Sequence, residues 1–170
     1  PKDLNMVPFI KEMIEVGVNS FKVEGRMRSI YYIATVISTY RSLIDKIKSN
    51  TLIEKYATYA LNVLNRCANR DSIPQFFDKV PGVNEQYFLD RNEISNQDFL
   101  GIVIEYDKDK KEVTVEQRNY FKPGDIVEVF GPNIDTQTLT IPQIYDTEGN
   151  ELEVARHPKQ LIKFKCEIPL

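Results

Sequence analysis

The sequence predicts an α+β chain built from two modules. Helical periodicity fills most of the first 70 residues, and period-two alternation fills residues 98–170. The stretch between them carries prolines, a glycine and no sustained period, as an irregular linker does. Helices followed by a block of strands are typical of separate modules. We therefore predict a helix–strand–helix–helix module over 1–70, a linker over 71–97 and a small antiparallel all-β barrel over 98–170.

Three helices are predicted in the first module. The first covers residues 7–15, with Pro8 in its opening turn and Gly17 as a stop. Ser29 is placed to cap the second, and the break at residues 50–51 separates it from the third. Apolar residues recur at helical spacing in both long helices. In the second helix they are Ile33, Val36, Ile37, Tyr40, Ile44 and Ile47, and in the third Ile53, Tyr56, Ala57, Ala60, Leu61, Leu64 and Cys67.

Residues 20–25 carry a short strand signal that ends in Gly25. Nothing else before residue 98 resembles a strand that could pair with it. A single strand cannot satisfy its own backbone hydrogen-bonding groups. We therefore expect its neighbours to lie upstream of residue 1 in a longer protein.

The second module is predicted to contain five or six short strands. Residues 101–106 and 113–115 flank a turn at 107–110, and a Pro-Gly turn at 122–125 leads into a strand at 126–130. Residues 138–145 form a further strand in which Pro142 marks an edge or a bulge. The last strand alternates cleanly, with Ile162, Phe164, Cys166 and Ile168 on one side. This spacing is typical of a small barrel or sandwich.

Composition restricts the classes of protein that fit. The chain is 42% hydrophobic and 28% charged, with a net charge of −3, so it is globular and not basic enough to attract nucleic acid over its whole surface. A local basic face stays compatible with that balance. Cys67 and Cys166 lie far apart, without a Cys-x-x-Cys motif, and are expected to be reduced core residues of a cytoplasmic protein. Apolar runs fall short of a membrane span, so no membrane partner is expected.

Charged residues crowd the point where the predicted strand meets the second helix. Lys22, Glu24, Arg26 and Arg28 lie there. A helix amino terminus beside arginine side chains favours a bound phosphate or carboxylate. Alternatively, the segment is an exposed loop whose Glu and Arg side chains pair with each other. Arg70 joins the candidate binding residues, although a cation near the end of the third helix also complements the helix dipole.

Two basic clusters in the second module allow two interpretations each. Lys108, Lys110 and Lys111 form either a solvated hairpin tip or a phosphate contact. A second set combines cations with aromatic residues, as nucleic-acid-binding barrels do, but a charged outer strand face explains it equally well. This set comprises Lys122, Lys159, Lys163 and Lys165 with Tyr120 and Phe121.

Peptidase chemistry finds little support in the residue types. The chain has a single histidine, His157, beside Pro158 at a strand end, where a turn histidine is expected. A Ser or Cys nucleophile needs a positioned base, and a zinc hydrolase needs several ligands such as a His-Glu-x-x-His pair. The sequence contains no such pair. If the longer protein is a hydrolase, its nucleophile is expected upstream, and the catalytic residues stay unknown.

Several runs stand in order along the chain: residues 2–4, 21–29 and 34–36, then 67–71 and 76–77, then 117–125 with Glu128, 131–132, 146–149 and 155–158. In colinear order these runs resemble the carboxy-terminal portion of the collagenase-like peptidase family U32, particularly its bacterial members that hydroxylate tRNA. The first three runs resemble the end of the family's barrel, the next two its linker, and the others its carboxy-terminal domain.

This resemblance implies a fold and a function. It implies the last strand and helices of an α/β (TIM-like) barrel followed by a small β-barrel that positions the substrate. It implies hydroxylation of the wobble uridine of tRNA, with prephenate as a source, and tRNA as partner through the longer protein. The alternative is a docking domain of a genuine peptidase that acts on collagen-like or other protein substrates. A cut barrel edge could also self-associate.

The resemblance bears on cofactors as well. Some family members carry an iron–sulfur cluster, and in many a Cys follows the Lys-Asp-Leu run. Asn5 occupies that position in this sequence. A neutral amide cannot replace a thiolate ligand without weakening iron binding, so we expect no cofactor in this segment.

Overall fold

The computed structural model describes residues 2–51, 53–67, 71–86, 98–131 and 134–170. The chain divides into two compact units, Pro1–Asn96 and Gln97–Leu170. The first unit therefore takes in residues 71–86, which the sequence pattern assigned to a linker.

The predicted helices of the first unit are confirmed. A 3-10 turn at Val7–Phe9 runs directly into α1 (Ile10–Glu15), and the two long helices are α2 (Ile30–Lys48) and α3 (Ile53–Cys67). The Ser29 hydroxyl accepts a hydrogen bond from the Tyr32 N–H at 3.1 Å, so the predicted cap of α2 is also confirmed.

The core of the first unit lies between α2 and α3, with the start of the chain packed against them. On α3 the predicted stripe is confirmed through Ala60, Leu64 and Cys67. On α2 the predicted stripe is confirmed in part: Val36 is buried and Tyr40, Ile44 and Ile47 pack against the core, whereas Ile33 and Ile37 are 42% and 49% exposed. Its buried residues are Thr35, Val36, Thr39 and Leu43.

Two short parallel strands, β1 (Asp3–Leu4) and β2 (Ser72–Ile73), join the start of the unit to its end. The sequence pattern predicted neither of them. The strand predicted at residues 20–25 is wrong for this chain, since these residues form no strand. Within the described ranges no backbone hydrogen bond connects residues 19–24 to β1 or β2, and an unpaired segment cannot form a ladder.

The second unit is antiparallel and all-β, as predicted. It contains a five-stranded sheet in the order β3-β4-β9-β7-β8 and a separate hairpin of β5 and β6. The single strand predicted at 138–145 is two strands, because the stretch around Pro142 lies outside the ladder. The strands are β3 (Gly101–Asp107), β4 (Glu112–Gln117), β5 (Ile126–Gly131), β6 (Ile134–Thr140), β7 (Ile144–Tyr145), β8 (Glu151–Leu152) and β9 (Leu161–Lys165).

Alternation along β4 and β9 builds the core of the second unit. One side of each strand is buried, and Phe121 and Ala155, which form an isolated antiparallel bridge, complete that core. Gly101 is required on β3, since a Cβ atom there would lie 2.5 Å from Cγ1 of Val115 and 2.9 Å from the Glu116 carbonyl oxygen. The buried strand residues are Val113, Val115, Ile144, Ile162 and Phe164.

Both cysteines are free and buried, as expected. Burial raises the pKa of the Cys67 thiol to about 11 and raises that of Cys166 as well. In the part of the chain that the structure describes, none of the helices combines the length and apolarity that a bilayer crossing requires.

The core assignment predicts that Leu64→Ala lowers the free energy of unfolding of the first unit by about 2–5 kcal/mol, through lost burial and a cavity. Ile37→Ala, at a half-exposed position on α2, should cost less than about 1 kcal/mol. Urea unfolding followed by far-ultraviolet circular dichroism measures this unit, because the described helices belong to it. Equal costs for the two variants would mean that the stripe on α3 is misplaced.

Candidate functional site

A buried amide holds the start of the chain in place beside the candidate site. Asn5 is 5% exposed, and its Oδ1 accepts hydrogen bonds from the Val7 N–H at 3.1 Å and from the Tyr40 hydroxyl at 3.2 Å. Its Nδ2 donates to the Ser72 hydroxyl at 3.1 Å. The Tyr40 oxygen accepts in turn from the Met6 N–H at 3.0 Å. Asn5 thus links β1, α2 and β2, and this is a structural role that the sequence did not indicate.

The position of Asp3 next to this network creates an ion pair that connects β1 with the approach to α2. The Arg28 guanidinium donates to Oδ2 of Asp3 at 2.9 Å, and both side chains are about three-quarters buried. The same guanidinium lies over the Tyr32 ring, 5.1 Å from its centroid. Sequence reasoning missed both partners; Asp3 carries no local signal, because 25 residues separate it from Arg28.

Burial controls the ionisation of the two tyrosines in these contacts. Desolvation raises the pKa of Tyr40, against the opposing effect of the Met6 N–H, which stabilises the phenolate. Desolvation also raises the pKa of Tyr32, and the Arg28 charge opposes that rise. Both phenols are therefore neutral at physiological pH and available as hydrogen-bond donors.

A local hydrogen bond shapes the segment before α2. Oε1 of Glu24 accepts from the Arg26 N–H at 2.9 Å, which uses the carboxylate to satisfy the backbone. The Arg28 N–H donates to the Gly25 carbonyl at 3.0 Å and completes the turn. In the described residues Glu24 contacts the backbone N–H of Arg26, and the predicted pair between the two side chains is not formed.

The predicted site residues are therefore in different environments. Lys22, Glu24 and Arg26 are exposed, whereas the Arg28 side chain is about three-quarters buried and contacts Asp3 and Tyr32. Lys22 and Arg26 form no ion pair with any described residue. Arg70 lies outside the described residues. Two exposed cations just before the amino terminus of a 19-residue helix can attract an anion.

The basic clusters of the second unit separate into distinct surfaces. Phe121 is 2% exposed and belongs to the core, so its predicted place on a binding face is wrong. Lys165 pairs with Glu112 at 3.3 Å on the outer face of the sheet. Tyr120 is 57% exposed, and Lys122 and Lys159 are exposed as well.

The lysine-rich hairpin tip is a solvated turn. Oδ1 of Asp107 accepts from the N–H groups of Asp109 at 3.0 Å and Lys110 at 2.9 Å, and these bonds lower the pKa of Asp107. Lys110 pairs with Asp107 at 3.4 Å, and Lys111 pairs with Glu167. Counter-charges thus already neutralise two of its three lysines.

The residues that support hydrolytic chemistry are not assembled in the described ranges. His157 is exposed, and within those ranges no three His, Cys, Asp or Glu side chains come together as metal ligands would. Both thiols are buried, with raised pKa values, so neither is a ready thiolate nucleophile.

Comparison with models of known protein families identifies the family of this chain. The family model for Peptidase family U32 matches residues 1–87, and that for Peptidase family U32 C-terminal domain matches residues 95–170. The chain belongs to peptidase family U32. The predicted resemblance is thereby confirmed along almost the whole sequence.

Curated relatives of this U32 chain carry different kinds of name. It is 48% identical over 170 residues to tRNA hydroxylation protein P1 of Bacillus subtilis, and the match covers 98% of this chain and 40% of that protein. It is 26% identical over 157 residues to tRNA hydroxylation protein P of Escherichia coli, covering 91% of this chain and 33% of that protein. A collagenase of Porphyromonas gingivalis is 40% identical over 55 residues, 32% of this chain and 15% of that protein.

The chain therefore spans well under half the length of these relatives. Among solved structures, the C-terminal domain of a Geobacillus thermoleovorans U32 peptidase matches with 53% sequence identity and a TM-score of 0.42. The match covers 42% of this chain and 81% of that one.

The Asn5 network predicts a measurable coupling in this U32 chain. Asn5→Ala should lower the free energy of unfolding by about 2–4 kcal/mol, because it leaves the Val7 N–H buried without its acceptor. Tyr40→Phe removes one hydroxyl and should cost about 1 kcal/mol. In a double-mutant cycle by urea unfolding, the combined loss should be smaller than the sum. Strict additivity would show that the two side chains do not interact.

The ion pair predicts different outcomes for two neighbouring arginines. Arg28→Ala should lower stability by about 1 kcal/mol, a value discounted for the partial exposure of the pair, because the charged hydrogen bond from the guanidinium to Asp3 is lost. Arg26→Ala at an exposed site should change stability by less than about 0.5 kcal/mol. Urea melts of the two variants under the same conditions give the comparison. A larger loss for Arg26→Ala would contradict the assignment.

Proposed function

We propose that this chain is part of a U32 protein that hydroxylates the wobble uridine of tRNA. The observation that carries the proposal is similarity along 98% of the chain to a relative named for tRNA hydroxylation. In this proposal residues 1–70 form the end of an α/β barrel whose other strands belong to the longer protein. Residues 71–97 connect it to the β unit, a small barrel that positions the substrate. The protein works in the cytoplasm.

The exposed cations before α2 supply the proposed contact with the substrate. Lys22 and Arg26 are the direct phosphate ligands, because both are exposed and neither is occupied by a described acidic side chain. Glu24 shapes the turn through the Arg26 N–H, and Arg28 fixes the segment to Asp3. Arg70 is retained as a substrate-binding residue on the sequence pattern. The proposal includes no cofactor held by this segment, since the Asn5 side chain is already engaged in the core.

A second candidate function is docking of a protein substrate for a genuine peptidase. The 40% identity over 55 residues to a collagenase favours it. Two features make it the weaker candidate. The stretch is short, and the described thiols are buried away from solvent.

Binding of the chain to tRNA and to denatured collagen separates the two functions. We expect tRNA affinity that falls steeply as salt rises, because phosphate contacts release counterions. Fluorescence anisotropy with labelled unfractionated tRNA and with labelled gelatin, each from 50 to 200 mM salt, provides the measurement. Gelatin binding without tRNA binding would favour the peptidase function.

The double variant Lys22→Ala/Arg26→Ala should weaken tRNA binding by roughly tenfold or more at low salt, since two phosphate contacts are lost. Lys48→Ala/Lys55→Ala is the matched control: it removes the same charge from exposed positions, one of them at the far end of α2, about 28 Å away. Arg26→Ala in the longer protein should also reduce hydroxylated uridine in cellular tRNA. Unchanged binding and unchanged modification would remove this site from the proposal.

A further inference from the structure

Two loops that are distant in sequence meet on the surface of the β unit. The Phe121 N–H donates to the Ala155 carbonyl at 3.2 Å, and the Ala155 N–H donates back to Phe121 at 2.8 Å. The Gln117 N–H donates to the Gln160 carbonyl at 2.9 Å, and the Lys159 N–H donates to the Gln117 carbonyl at 3.0 Å. Residues 117–122 and 155–160 therefore form one paired surface element.

The pairing decides which side chains face solvent. Phe121 and Ala155 are 2% and 0% exposed, so both point into the core. Side chains alternate between the two faces of paired extended segments. Their neighbours Tyr120 and Arg156 oppose each other across the bridge and therefore share the outer face. Lys122, the next residue after Phe121, is on the same outer side.

Lys159 adds a cation at the tip of the second loop. The Gln160 N–H donates to the His157 carbonyl at 3.0 Å, which closes a tight turn around Pro158 and Lys159. The backbone of Lys159 has φ +62°, in the left-handed region that favours glycine. The Lys159 side chain is exposed, and its left-handed conformation comes at some cost to the backbone.

The charges on this surface are largely uncompensated. Lys122, Arg156 and Lys159 form no ion pair with any described residue, whereas Arg118 pairs with Glu116. Asp125 is the acidic neighbour, and its carboxylate is occupied by the Lys122 N–H at 2.9 Å. Acidic residues outnumber basic ones in the unit as a whole. The three free cations therefore form a local basic surface on an acidic domain.

We propose that this surface, the basic-aromatic patch of Tyr120, Lys122, Arg156 and Lys159, binds a single-stranded segment of tRNA. This inference rests on the proposed function and adds a second contact with tRNA, on the β unit. A base stacks on the exposed ring of Tyr120, and the phosphates on either side contact the three cations. An aromatic face surrounded by cations fits single-stranded nucleic acid better than an acidic peptide, which has no base to stack.

The left-handed backbone allows a test that keeps the fold. Lys159→Gly removes the cation and suits φ +62°. Lys111→Gly is the matched control, because Lys111 also has a positive φ, of 49°, and lies at the hairpin tip in a pair with Glu167.

Both variants lose one positive charge. In the full 170-residue chain at 100 mM salt, Lys159→Gly should raise the Kd for tRNA roughly five- to tenfold and reduce the slope of log Kd against log salt by about one. Lys111→Gly should leave both values unchanged.

The aromatic contribution is tested by a pair of variants at Tyr120. Tyr120→Leu removes the ring and should raise the Kd by about 5- to 100-fold. Tyr120→Phe keeps the ring and should weaken binding less. Thermal melts confirm that each variant is folded. Equal losses for the two variants would overturn the stacking contact.

The outcomes separate this inference from the proposed function. Equal effects of Lys159→Gly and Lys111→Gly, with tRNA binding of the unchanged chain intact, would overturn the patch alone. Failure of the unchanged chain to bind tRNA at any salt would overturn both. Competition by poly-glutamate as effective as that by tRNA at equal charge would overturn RNA as the ligand.

Discussion

The first unit depends on a buried amide whose oxygen and nitrogen both have hydrogen-bond partners. Asn5 accepts from one helix and one backbone N–H, and it donates to the strand that closes the unit. A buried polar group of this kind is costly unless each hydrogen bond is formed. The chain can therefore pack only when β1, α2 and β2 meet in one arrangement. That arrangement positions Asp3, which then holds Arg28 and the segment before α2.

The residue type at position 5 decides what that position can do. A cysteine there would suit a metal ligand, whereas the asparagine of this chain ties the backbone together. The two residues place different demands on their surroundings, because a thiolate needs a metal and an amide needs donors and acceptors. The Ser72 and Tyr40 hydroxyls meet the demands of the amide.

Periodicity decided which parts of the fold could be predicted. Both long helices and the last strand carry enough repeats to identify the element. On α3 and the last strand the repeats also identify the buried residues, whereas on α2 they identify only part of the buried side. β1 and β2 are two residues long and have no period to detect, so the sequence missed them. Residues 20–25 have the composition of a strand but no partner within the described chain, and local preference cannot replace a missing ladder.

The candidate sites were predictable as residue types but not as arrangements. The cations before α2 are close together in sequence, so they could be named as candidates. Their different environments could not, because Arg28 is held by Asp3, 25 residues away, while Lys22 and Arg26 are exposed. The inferred placement of Tyr120 opposite Arg156 follows from the bridge of Phe121 and Ala155 between distant loops. Phe121 was misplaced because alternation across an isolated bridge leaves almost no sequence signal.

The exposed isoleucines on α2 have a consequence for how this helix is used. Val36 and Leu43 face α3, while Ile30, Ile33 and Ile37 form a second apolar face toward water. A helix that is apolar on two sides is suited to the middle of a layered structure, with a neighbour on each. Ser29 and the segment before it lie at one end of that second face. A layer that shielded the isoleucines would also border the entrance to the cations, and it would then couple ligand affinity at the cations to assembly of the layers.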